Sequence, residues 1–166
     1  MGHIVLHMTK RLLLVLVMAL SSLATTATVV PPAANASTTS FVNRMETAIT
    51  KYTNVHRRAH GRGAVRWYSC VDRYAEGWAA HLLSTRRFYH RSWRSITSGC
   101  HRSYASENIA KYRSSASADA IAKAVVRMWM HSSGHRANLL SSRARLTGVG
   151  VRRSGNYFVI VQNFTS

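Results

Sequence analysis

Residues 157–164 place apolar side chains on both faces of any strand they form: Phe158, Ile160 and Phe164 on one, Tyr157, Val159 and Val161 on the other. Such a strand needs cover on both sides, so it belongs in the middle of a sheet with a packed layer over each face. Residues 147–151 read as its neighbour, joined through Arg152-Arg153-Ser154-Gly155-Asn156. The two segments therefore predict a sheet that helices must cover.

Three helical patterns are available for that purpose. Phe41, Met45, Ala48, Ile49, Tyr52, Val55 and Ala59 recur at three- and four-residue steps until Gly61 and Gly63 stop them. Val71, Tyr74, Ala75, Trp78 and Leu82 repeat the pattern behind Ser69, an expected N-cap. Ile121, Ala124, Val125, Met128 and Trp129 form a third stripe behind Ser117. Residues 84–116 read as irregular, and an irregular stretch of that length inside a domain is functional or hides short strands. Helices over a doubly covered sheet make an α+β sandwich. The four tryptophans, Trp67, Trp78, Trp93 and Trp129, read as core or core-edge groups.

The chain has 166 residues, a length that suits one domain. Near its start Lys10-Arg11 precede the apolar residues 12–20, and a small-residue stretch ends in Ala34-Asn35-Ala36. A basic segment, a short apolar run and an A-x-A site describe a secretory leader over residues 1–36, with a mature domain over 37–166. Nine apolar residues fall short of the roughly 20 that span a bilayer. Export puts Cys70 and Cys100, the only cysteines, in an oxidising compartment. A disulfide between them is expected; two free thiols are the alternative.

The formal charge is +18, from 23 Lys+Arg against 5 Asp+Glu. No block of five or six like charges occurs, which argues against a nucleic-acid-binding arm. Spread arginines instead favour anionic polymers in general, cell-envelope polymers among them.

Four stretches carry a resemblance: Phe88-Tyr89-His90-Arg91-Ser92, Ser106-Glu107-Asn108-Ile109-Ala110, the run from Trp129 through Gly134-His135-Arg136-Ala137-Asn138-Leu139-Leu140, and Gly148-Val149-Gly150 before the last strand. In this order they resemble the CAP superfamily, the cysteine-rich secretory, antigen 5 and pathogenesis-related proteins, in its short bacterial SCP-type form. The resemblance spans residues 45–164. It implies a three-layer α-β-α sandwich with a small central antiparallel sheet, and a cleft built from two histidines and two acids. His90 and His135 match the histidines and Glu107 one acid; Ser132 stands where longer members place the second. Ser106 replaces the usual glycine before the glutamate.

Two imidazoles and a carboxylate could ligate a divalent metal such as Zn²⁺, act as general acid and base, or form a structural network. The other acids, Glu46, Asp72, Glu76 and Asp119, fall in helical patterns and read as solvated. His131 and Ser132 border the expected cleft. His131 and His135 have the spacing of a zinc helix, but the glutamate of H-E-x-x-H is absent and Gly134 is expected to break the helix. A serine hydrolase would need Ser132 or Ser133 beside His135 with Glu107 orienting it. His56, His60, His81 and His101 match no motif and read as surface groups.

The favoured reading is a secreted, extracellular, monomeric binding module for an extracellular ligand; the resemblance implies a lipid or sterol as one such ligand. It needs no obligatory cofactor, and nucleic acid is not the expected partner. The alternatives are a cleft-based hydrolase using His90, Glu107 and His135, and a binder of anionic polymers.

Overall fold

The structure is a computed structural model that describes residues 33–166, with side chains from Ser37 onward. The leader reading of residues 1–36 falls almost wholly outside these residues. The described chain runs α1 (Ala33–Ala59), β1 (Arg66–Trp67), α2 (Ser69–Thr85), α3 (Trp93–Cys100), β2 (Ala105–Arg113), α4 (Ala118–His131), α5 (Ser133–Leu139), β3 (Leu146–Ser154) and β4 (Tyr157–Thr165).

The four strands form one sheet in the order β1-β3-β4-β2. β4 is central, paired antiparallel with β3 and β2, and its residues alternate between two cores. Phe158, Ile160 and Phe164 pack with Met45, Ile49, Ile121, Val125 and Trp129 under α1 and α4. Val159 and Val161 pack with Ala75, Trp78, Ala79 and Leu82 of α2. The result is the α-β-α sandwich. The sheet is mixed rather than antiparallel throughout, because the two-residue β1 pairs parallel with β3.

Two features of β3 bring α2 close. A Cβ on Gly148 would lie 2.2 Å from the Asp72 amide nitrogen, and one on Gly150 would lie 2.3 Å from the Ala75 carbonyl carbon. The helix backbone thus rests directly on the strand, an approach that only glycine permits. Beyond β1, the outer edge of β3 has no strand partner among the described residues. Asp72 and Glu46 take that place, accepting the N–H groups of Val149 and Val151 at 3.0 and 2.9 Å. These two acids are structural acceptors, not the solvated carboxylates expected.

Other expectations change as well. The stretch 84–116 contains α3 and the nine-residue β2. The α1 stripe does not continue through Val55, which is exposed; Thr53 and Arg57 follow Met45 and Ile49 at four-residue steps and are buried. Thr53 donates to Gln162 of β4 at 3.1 Å. The Arg57 guanidinium donates to the carbonyls of Gly63, Leu139, Ser141 and Ala144 at 2.6–3.1 Å, tying the end of α1 to the segment that follows α5. Trp129 and Trp78 are core groups, but Trp67 and Trp93 are 61% and 54% exposed. Trp67 lies on the short edge strand and Trp93 at the first position of α3, so neither has a layer above it.

Ser117 caps α4, accepting from Ala120 N at 3.3 Å. Ser69 is instead the first residue of α2, and Tyr68 occupies the cap position without a side-chain bond. Cys70 and Cys100 are bonded, with Cα atoms 5.8 Å apart, and join the first turn of α2 to the last residue of α3.

Candidate functional site

The second core holds the loop that carries His90. Trp78 of α2 donates from Nε1 to Tyr89 O at 3.3 Å. Arg91 donates to Tyr74 O at 3.2 Å, and its guanidinium lies over the rings of Tyr74 and Trp78 at 4.8 and 5.1 Å. His81, read from sequence as a surface group, stacks on Trp78 with centroids 4.6 Å apart and bonds the Tyr89 hydroxyl at 2.8 Å. A segment without regular structure is thereby fastened at Tyr89 and Arg91, on either side of His90.

Glu107 projects from β2 beside this loop. Its Oε1 lies 2.9 Å from His90 Nδ1 and accepts the Arg91 backbone N–H at 3.0 Å. Its Oε2 is buried and without a partner among the described residues. Burial pushes the carboxyl above the usual glutamate range, against the opposing pull of the Arg91 N–H and of His90.

His135 comes from α5. The helix break lies at Ser132, where the backbone is extended (φ −100°, ψ 122°), whereas Gly134 sits inside α5. His131 ends α4 and is exposed, and among the described residues it shares no hydrogen bond or ring contact with the other two histidines. The zinc-helix reading of His131 and His135 therefore fails on geometry, because the pair is split across two helices. Ser132 stands at the N-cap position of α5, yet its hydroxyl caps no backbone N–H and instead lies 2.9 Å from His135 Nδ1.

The His90 and His135 rings are 6.3 Å apart, tilted by 45°. Trp129 lies 6.5 Å from His135 on the inner side and is itself fixed by a 3.1 Å bond from Nε1 to Ile109 O. Burial, with the charge of His90 second, holds His135 below the ordinary histidine value. Each ring thus spends Nδ1 on a protein oxygen, which selects Nε2 as the remaining nitrogen of each.

Two asparagines complete the site. Asn108 is fully buried and donates to His135 O at 3.1 Å. Asn138 donates to Glu107 O and to Asn108 Oδ1, both at 3.0 Å. They fasten α5 to β2 and so set the spacing between His135 and Glu107. Both lie in the motif stretches, but no role for them follows from residue type alone.

Chemically, the two Nε2 atoms are the nitrogens left for a divalent cation, and Glu107 Oε1 is bonded to His90. No cluster of three His, Cys, Asp or Glu side chains is arranged around a common point among the described residues. Two oriented imidazoles fit a borderline cation such as Zn²⁺ whose remaining positions are taken by water. The serine-hydrolase arrangement is not assembled as drawn from sequence, since Glu107 bonds His90 while Ser132 bonds His135.

A family model described as the cysteine-rich secretory protein family, CAP, matches residues 50–164. A comparison with curated protein sequences gave no match. Among solved structures, an extracellular protein containing an SCP domain from Bacillus anthracis is 25% identical, with a TM-score of 0.57 over 74% of this chain and 40% of that one. An outer surface protein from Borrelia burgdorferi is 15% identical with a TM-score of 0.63, covering 75% of this chain and 92% of its own. A cysteine-rich secretory protein from Staphylococcus aureus is 19% identical with a TM-score of 0.57, over 74% and 38%. This chain therefore spans well under half of the Bacillus and Staphylococcus structures it resembles. With the sandwich, the central β4 and the paired histidines in place, the family match over residues 50–164 makes the chain a member of the cysteine-rich secretory protein (CAP) family.

Proposed function

We propose that the protein is an extracellular binding module whose cleft presents His90 and His135 to a ligand. The observation that carries this reading is the matched pair of internal bonds, Glu107 to His90 Nδ1 and Ser132 to His135 Nδ1. Both rings are held in one orientation, with Nε2 left for an external partner. Export is supported by the Cys70–Cys100 bond and by the extracellular description of the Bacillus relative. His90 and His135 would hold a cation such as Zn²⁺, which supplies a Lewis-acid anchor for an anionic oxygen when bound. Affinity is modest, because two protein ligands act alone within a strongly positive chain. Calorimetry with Zn²⁺ tests this. His90→Ala and His135→Ala should each abolish binding while thermal melts stay close to wild type. If both variants unfold, the residues serve the fold and the reading fails.

A lipid ligand is supported by a separate groove of about 1060 Å³ between α1 and the start of α4. Phe41, Ala48 and Ala118 line it, with Arg44 placed to meet a carboxylate head group, while Lys51 there pairs with Asp119 at 3.6 Å. A fatty acid that protects Phe41→Trp fluorescence from quenching would support this arm, and no change at saturating lipid would remove it.

A further inference from the structure

The edge of the sheet opposite β1 carries a concentration of positive charge that the histidine cleft does not use. β2 is the edge strand there, and Lys111 and Arg113, two residues apart, project from the same side of it. A groove of about 770 Å³ runs between this edge and the end of α2. The side chains of Arg86, Arg87, Lys111 and Arg113 line it, with no acidic residue among its lining. The ion pairs among the described residues engage Lys51, His90 and Arg152, so none of the four groove cations faces a carboxylate.

Neutral groups hold these cations in place. Lys111 Nζ lies 4.7 Å above the Phe88 ring, and the Arg113 guanidinium lies 5.6 Å from Tyr157 and donates to Asn156 Oδ1 at 3.0 Å. Arg87 lies over Tyr89 at 5.4 Å. Arg153 turns its guanidinium away from the groove, to the opposite face of the sheet, where it lies 5.1 Å from Phe41 and 5.5 Å from Phe158. Cation–π contacts order long side chains without neutralising them. They also cover a face of Phe88 and of Tyr157, the aromatic groups that a nucleic-acid base would stack upon.

Arg86 adds an independent observation. It ends α2 with φ +56°, the left-handed conformation in which glycine is the usual residue. An arginine there keeps a guanidinium at the groove at the expense of backbone strain.

We infer that this groove is a second binding site, for a non-aromatic phosphate-bearing polymer of the polyol-phosphate kind found in cell envelopes. Guanidinium forks match phosphate oxygens, a concave wall of four cations suits a linear chain, and the occupied ring faces disfavour stacking bases. The site is separate from the histidine cleft and does not depend on it.

The test uses the purified protein and a glycerol-phosphate oligomer as the probe, with binding followed across a salt series. Arg87→Gln, Lys111→Gln and Arg113→Gln together should weaken binding more than about tenfold and flatten the salt dependence, since fewer counterions are released. Replacing three exposed cations elsewhere, Arg58, Lys123 and Arg127, by glutamine removes the same charge and should weaken binding about twofold. Arg86→Gly should weaken binding while raising the melting temperature, a combination that a purely structural role cannot produce. His90→Ala should leave binding unchanged. Equal losses in the two triple variants would reduce the effect to net charge and overturn the proposal. Tighter binding of a single-stranded oligonucleotide, or of anionic vesicles, than of the glycerol-phosphate oligomer would overturn its choice of partner.

Discussion

Glu46 of α1 accepts the backbone N–H of Val151 on β3 at 2.9 Å, standing in for the strand that β1 is too short to provide. An uncovered row of N–H groups on a sheet edge would otherwise have to find water or another chain. Burial raises the Glu46 carboxyl from 4.5 to about 7, with Glu76 and Asp72 adding to the shift and the Val151 N–H and Arg152 opposing it. The native state therefore binds a proton more tightly than the unfolded chain. The stabilisation is complete below pH 4.5 and is lost as pH rises through about 7.

Glu46→Gln keeps an oxygen acceptor for Val151 and removes the titration. Denaturation at pH 5 and pH 8 should show wild type losing about 1–2 kcal/mol more than the variant across that interval, a value reduced for solvent screening of a partly exposed group. Identical pH slopes in the two proteins would mean that Glu46 does not titrate in this window.

Glu107 orients His90 through Nδ1, so its replacement should be read out at the cleft and not only in the fold. Glu107→Gln retains a hydrogen-bonding group but no longer enforces the tautomer that leaves Nε2 open. Zinc affinity should fall about 10–100-fold, the usual scale for losing such a partner. Calorimetry that returns wild-type affinity would assign Glu107 to the loop alone.

Arg57 is buried with its guanidinium on four carbonyls and no carboxylate. Burial, then the charges of Arg62 and Arg145, lowers its pKa, but the group remains far from deprotonation at neutral pH. Arg57→Lys keeps the charge yet replaces a planar fork with a point donor. Buried carbonyls left unpaired should cost about 3 kcal/mol in a urea denaturation experiment. A loss under about 1 kcal/mol would show that water replaces the missing donors freely.

The Cys70–Cys100 bond closes a loop with a sequence separation of 30. Replacing both cysteines by serine should lower stability by about 3–4 kcal/mol on the chain-entropy relation. Equilibrium denaturation measures the loss, and alkylation under native conditions should leave both sulfurs of the purified protein unmodified.

How much of this was legible in the sequence depended on where the apolar side chains lie. Helices α2 and α4 announce themselves because their buried faces are almost wholly hydrocarbon at a helical period, and β4 does so through the unbroken apolar run Tyr157-Phe158-Val159-Ile160-Val161. β2 does not, because the residues it buries first are Glu107 and Asn108, which read as a polar turn. α3 buries only Ile96 and Cys100, too few to set a period, and a disulfide holds its end. At the site, His90, Glu107 and His135 were visible through their motifs. Asn108 and Asn138 were not, because their work is to bond the carbonyls of His135 and Glu107 across the fold. The carboxylates of Glu46 and Asp72 escaped notice for the same reason, their acceptor role depending on an edge that only tertiary structure creates.

His90 and the exposed pair Arg86-Arg87 all lie between Cys70 and Cys100, inside the ring that the disulfide closes. A trypsin-like cut after either arginine would therefore leave two pieces that remain covalently joined, with α2 and α3 still tethered and the Glu107 strand untouched. Such a nicked molecule would migrate as one species until reduced and then separate into two. The segment that presents the histidine can be severed without being shed.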